Sequence, residues 1–152
     1  MNRIFFFIVA ILLISQQSFS QDSWWKQKKF KTESAKQKYL QCKSVFVTIG
    51  EGFGSADVYS VSQYFNDEVF LNISSVDKGY YSTEQAKMIL ENLFSSYPPN
   101  SFKWLNSNYS SSYAFASGRY KYSKGGFVNS YSIGVSLKYS SGYWKIDQII
   151  LK

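Results

Sequence analysis

The chain has no histidine, one cysteine and two prolines, and after Arg3 it has a single arginine, Arg119. Each scarcity excludes something. Without histidine there is no usual general base, no Ser–His or Cys–His nucleophile pair, and no use of the commonest metal ligand. One cysteine, Cys42, forms no internal disulfide and builds no zinc or iron–sulfur site. We therefore expect no metal and no cofactor. A hydrophobic core must hold the fold, and about 130 residues suffice to bury roughly two thirds of their unfolded surface. The two prolines are adjacent, Pro98 and Pro99, so proline punctuates the chain at one point only. No Pro- or Gly-rich linker divides it, and no repeat of solenoid length occurs.

What is present starts with an address. Arg3 precedes an unbroken apolar run, Ile4 to Ile14, and Ser18-Phe19-Ser20 offers small residues for a signal peptidase. Eleven apolar residues are too few to span a bilayer, which needs about twenty. The sequence thus predicts a signal peptide over 1–20, export to the periplasm or medium, and a mature chain of 152 less 20, or 132, residues. A basic aromatic arm over 21–33 follows, then one domain over 34–152. Residues 22–43 carry seven lysines against Asp22 and Glu33, whereas residues 44–152 carry nine basic against eight acidic residues. The arm sets Trp24, Trp25 and Phe30 among Lys26, Lys28 and Lys29. That mixture suits an anionic membrane surface, or it is a solvated tether. Nucleic acid is not expected as a partner of an exported protein.

Ala35, Tyr39, Cys42, Phe46, Ile49 and Phe53 recur at helical spacing, so they share one face and place Cys42 in the core. Ser34 with Gln37 reads as the capping box of this helix, and Gly54 as its left-handed close. A rival reading makes Gly50-x-Gly52-x-Gly54 a phosphate loop, but the spacing is not that of a dinucleotide turn. A short second helix capped by Ser55 presents Val58, Val61 and Phe65. Residues 69–73 form a strand, Asp77-Lys78-Gly79 turns the chain, and Tyr80-Tyr81 returns it. Ser82 with Gln85 opens a third helix, whose apolar face runs from Ala86 to Tyr97. Pro98 and Pro99 stop it. Strands over 101–107, 111–122, 127–140 and 143–151 follow, with alternation clearest from Tyr131 to Tyr139. Helices grouped before strands indicate α+β, in the order ααββαββββ, with a curved antiparallel sheet wrapping three helices.

The segments VFVTIGEGFGSADV, SQYFND, GYYSTEQAKMILENLFSSYPPNSFKW and GYWKIDQIILK together resemble a small exported bacterial family, domain of unknown function 4783. More broadly, the chain resembles the nuclear-transport-factor-2-like superfamily, whose fold is such a cone. The resemblance implies the architecture and no activity, because the superfamily holds both isomerases and non-catalytic pocket domains.

Candidate ligand-binding residues are few. Trp104, Tyr113, Phe115 and Tyr131 are aromatic strand residues able to wall an apolar pocket. Arg119 is able to clamp a carboxylate. Asp147 interrupts an apolar strand and has two phases open to it. With Trp144, Ile146, Gln148 and Ile150 inward it is surface, and in the other phase it lines the cone. No residue is assigned as catalytic. The leading expectation is a non-catalytic domain binding a small apolar ligand or an envelope protein. The alternatives are an isomerase- or hydrolase-like enzyme using Tyr with Asp147, and a structural module, homodimeric in one form.

Overall fold

A computed structural model describes residues 23–73 and 77–152. The signal peptide expected over 1–20 lies outside them. Helix α1 (Glu33–Ser55) and helix α2 (Val58–Ser62) precede strands β1 (Phe65–Ile73) and β2 (Asp77–Ser82). Helix α3 (Thr83–Ser96) then leads into β3 (Pro99–Tyr109), β4 (Tyr113–Lys124), β5 (Phe127–Ser140) and β6 (Tyr143–Leu151). This is the α+β order read from the sequence, and the helices pack on one face of a six-stranded sheet ordered β2-β1-β6-β5-β4-β3. The sheet is antiparallel except where β1 runs parallel to β6.

Local chemistry explains α3 completely. Ser82 accepts from the Gln85 amide at 3.4 Å while the Gln85 side chain accepts from the Ser82 amide at 3.1 Å. Tyr97 leaves helical geometry immediately before Pro98. Elsewhere the caps shift from their expected places. Thr32, not Ser34, accepts from the Ala35 amide, and Gln37 instead bonds Glu33 at 2.7 Å. Asp57, not Ser55, caps α2, accepting from the Tyr59 and Ser60 amides and from the Ser60 hydroxyl at 2.6 Å. Those bonds, the Ser60 hydroxyl's foremost, hold the Asp57 carboxyl below its ordinary value. Ala56, at φ 57, takes the left-handed position expected of Gly54. Phe65 opens β1 rather than closing α2, and Asp77-Lys78-Gly79 lies in β2 rather than in a turn.

Gly50 and Gly52 stay within α1, and tertiary packing gives them a reason. A Cβ on Gly50 would stand 2.6 Å from Trp104 Nε1, and one on Gly52 would stand 2.8 Å from Val61 Cγ2 and 2.9 Å from the Asp57 carbonyl. The first glycine lets an indole lie on the helix, and the second lets α2 cross it.

Candidate functional site

The inner face of the sheet is occupied by its own side chains. Phe46, Phe53, Tyr120 and Trp144 are among the largest fully buried residues. Phe53 meets the rings of Phe94, Phe102 and Tyr120 at centroid distances of 5.9, 5.3 and 6.4 Å. The polar handles of these rings are engaged by backbone. Trp104 Nε1 donates to the Phe46 carbonyl at 2.9 Å, Trp144 Nε1 to that of Lys38 at 3.0 Å, and the Tyr120 hydroxyl to that of Tyr97 at 2.6 Å. Burial pushes the Tyr120 hydroxyl well above its ordinary pKa, as it does the Cys42 thiol.

The arm closes one end of this interior. Trp25 is only 6% exposed and lies against Tyr39, Phe46 and Tyr109, while Trp24 meets Phe46 and Trp104. The Tyr39 hydroxyl donates to the Lys26 carbonyl, Ser107 to that of Trp24 at 2.6 Å, and the Lys28 ammonium to that of Tyr109 at 2.6 Å. Over residues 23–31 the arm is therefore packed on the domain, not a solvated tether. Trp24, Trp25 and Phe30 are spent on that packing, whereas Lys26 and Lys29 remain exposed. Between arm and β3 lies a void of about 20 Å³ lined by Trp25, Lys28 and Ser107. Among the described residues the buried Trp25 Nε1 has no hydrogen-bond partner. A void of this size holds one water.

The six candidate ligand residues do not converge. Trp104 belongs to the buried core. Tyr131 also takes the inner face, beside Tyr97 and Tyr122 at ring distances of 5.5 and 4.8 Å. Burial first, then hydrogen bonds to Tyr122 and Tyr97, raises its hydroxyl pKa. Tyr113, Phe115 and Arg119 alternate with the buried Ala114, Ala116, Gly118 and Tyr120 along β4, and so occupy the outer face. Asp147 follows neither expected phase. Ser136 pairs with Gln148 and Leu137 with Ile146, which makes Asp147 the extra residue of a β-bulge. The bulge resets the strand, so that Trp144, Ile146, Ile149 and Leu151 are its buried residues and Gln148 and Ile150 are not. Asp147 itself is half-buried.

The outer face of β3, β4 and β5 carries exposed groups of its own. Tyr113 and Phe115 are 45% and 43% exposed. The Phe115 ring lies over Gly134 of the neighbouring strand, and a Cβ there would stand 3.0 Å from it. Together with Asn108, Ser110 and Ser136 the two rings border a hollow of about 180 Å³. Further along, Arg119 stands directly opposite Lys103 on β3, with Lys121 two residues beyond on the same face. Among the described residues none of these three cations has a carboxylate within 4.0 Å. Like charges placed opposite on neighbouring strands are destabilising. Lys103 and Lys121 were not among the sequence candidates, yet a signal existed. From Asn92 to Ile146 there is no acid at all. The modest net charge of the domain conceals a split. Residues 44–91 carry seven acids against Lys78 and Lys87, a net of −5, and residues 92–152 carry seven cations against Asp147, a net of +6.

Comparison with solved structures places this architecture among known folds. A family protein from Bacteroides uniformis superposes with a TM-score of 0.64 at 16% identity, covering 70% of this chain and 94% of that one. One from Bacteroides ovatus gives 0.63 at 15% identity, covering 68% and 90%. A ketosteroid isomerase-like protein from Erwinia carotovora atroseptica gives 0.61 at 14% identity, covering 74% and 92%. At such identities the likeness concerns the fold alone. No curated protein of known function matches the chain. The family model for domain of unknown function DUF4783 matches residues 46–151, from the middle of α1 to the end of β6, and the chain belongs to that family.

Proposed function

We propose that the chain is a non-catalytic binding module that docks a protein partner on the outer face of β3, β4 and β5. The observation that carries this reading is where the uncommitted groups lie. Interior rings pack on one another and the hydroxyls of Tyr39 and Tyr120 donate to backbone carbonyls, which leaves neither free as a proton donor to a substrate. Asp147 sits at a bulge flanked by Ile146 and Gln148. Outside, two half-exposed aromatics stand beside cations that have no carboxylate within 4.0 Å among the described residues, the composition of a recognition surface. An apolar ligand in the cone would first have to displace Trp24 and Trp25.

Native mass spectrometry of protein purified from its own cells tests the proposal. The wild type is expected to carry additional protein mass, and a Tyr113→Ser, Phe115→Ser variant to lose it. A retained small-molecule mass that survives in that variant would return function to the interior. Export belongs to the same proposal, supported by the sequence of residues 1–20. The intact mass of the mature protein should correspond to a start at or near Gln21, and an uncleaved chain in the cytoplasm would overturn it.

A further inference from the structure

The partner's chemistry follows from the charge split, given the reading that the outer sheet face is the working surface. On α3, Glu84, Met88 and Glu91 are all exposed and are spaced four and three residues apart, so they form one stripe. The opposite side of α3 buries Ala86, Leu90, Leu93 and Phe94 against the domain. The helix packs on β1, β2 and α2, whereas the basic patch lies on the outer face of β3 and β4, so stripe and patch are separate surfaces of one copy. One surface sets two acids around an exposed methionine, with the half-buried Lys87 at its edge, and the other is basic beside an exposed phenylalanine.

We infer that the outer face of β3 and β4 receives the Glu84–Met88–Glu91 stripe of a second copy of this chain, in a head-to-tail contact. Charge complementarity selects this occupant. A two-fold contact made by the basic patch with itself would set Lys103, Arg119 and Lys121 against their own copies. Turning one copy so that its acidic helix meets the cations removes that repulsion. Glu84 and Glu91 are about 10 Å apart along the helix axis. Phe115 to Lys121 spans about 20 Å of strand, so the acidic pair fits within the basic aromatic stripe. A head-to-tail contact leaves one free face of each kind at its ends, so assembly continues into a ring or a filament.

Sedimentation velocity on the purified protein tests this. Long-range attraction survives at about 0.01 M salt, where the Debye length is about 30 Å, and is lost at about 1 M, where it is about 3 Å. The average mass should therefore rise with protein concentration in the first buffer and remain that of one copy in the second. Two variants separate the faces by neutralising one each: Lys103→Gln with Arg119→Gln and Lys121→Gln, and Glu84→Gln with Glu91→Gln. All five residues are exposed, so both variants should melt like the wild type. Each alone should stay single. An equimolar mixture has one usable face on each variant and should form pairs and nothing larger. A wild type that stays single at every concentration in low salt overturns the inference, as does a mixture that fails to pair. If that single protein instead binds poly-glutamate or phosphatidylglycerol vesicles through Lys103, Arg119 and Lys121, a foreign anion is the occupant and the second copy is excluded. A protein partner lost from the Tyr113→Ser, Phe115→Ser variant in native spectra, with the pure chain single, would leave the proposed function standing and remove this one.

Discussion

The two faces of β4 share one backbone and have opposite fates. Inward it offers Ala114, Ala116, Gly118, Tyr120 and Tyr122, and outward Tyr113, Phe115, Ser117, Arg119 and Lys121. The inner set is small where other rings press on the strand and large where α3 ends, and the Tyr120 hydroxyl reaches the carbonyl of Tyr97. The outer set leaves two aromatics half-exposed and, among the described residues, its charges without a carboxylate partner. A side chain is thus either material for the cone or chemistry for a partner, and alternation along the strand decides which.

The sharpest break of that comparison is on the inner side. Trp104→Ala should cost about 3–5 kcal/mol, since it empties core volume and removes the indole's hydrogen bond to the Phe46 carbonyl. Urea unfolding should show the loss, and a shift under about 1 kcal/mol would mean that the interior is not close-packed. Next comes the arm. Trp25→Ala should cost about 3 kcal/mol, the low end for a buried tryptophan, because the ring lies at the edge of the core. An unchanged melting temperature would restore the arm as a tether.

Gly50→Ala sets two effects against each other. Helix propensity favours alanine by about 1 kcal/mol. The new methyl would stand 2.6 Å from Trp104 Nε1, within a buried hydrogen bond, and overpacking of this kind costs about 1–3 kcal/mol. The expected sign is therefore destabilising, and a more stable variant would show that Trp104 yields easily.

Alkaline pH probes the interior more gently. Burial raises the folded pKa values of Cys42, Tyr120 and Tyr131. A group raised on folding contributes in full below its unfolded value, about 8.5 for a thiol, and loses that contribution as pH climbs towards the folded value. With no histidine in the chain, stability should be flat from about pH 6 to 8 and fall above about 9. A thiol reagent should modify Cys42 far more slowly in the native than in the denatured chain, and equal rates would place it at the surface. The smallest expected change is on the outer face, where Arg119→Ala should move stability by no more than about 0.5 kcal/mol. A larger loss would make Arg119 part of the scaffold instead of the working surface.

Where the signal was local, the sequence was legible. The capping box of Ser82 and Gln85 and the stop at Pro98 fixed α3, and the Gly-containing turns delimited β5 and β6 at the residues expected. Caps two residues off, at Thr32 and Asp57, show competition among neighbouring serines, threonines and acids, any of which is able to cap. The candidate site was less legible. Its aromatic and cationic residues were visible, but one list held Trp104 and Tyr131 of the inner face together with Tyr113, Phe115 and Arg119 of the outer.

The sequence by itself determined the elements, their order and the missing chemistry, because helix periodicity, capping and proline geometry act over a few residues. Only the tertiary structure decided which way the side chains go. The bulge at Asp147 reverses the phase of β6, and whether a bulge forms depends on the strands to either side. Likewise, the arm is an anchor only because Tyr39, Ser107 and Tyr109, distant in sequence, meet around it. Alternation tells which residues share a face, and it takes the neighbouring strands and helices to tell which face is covered.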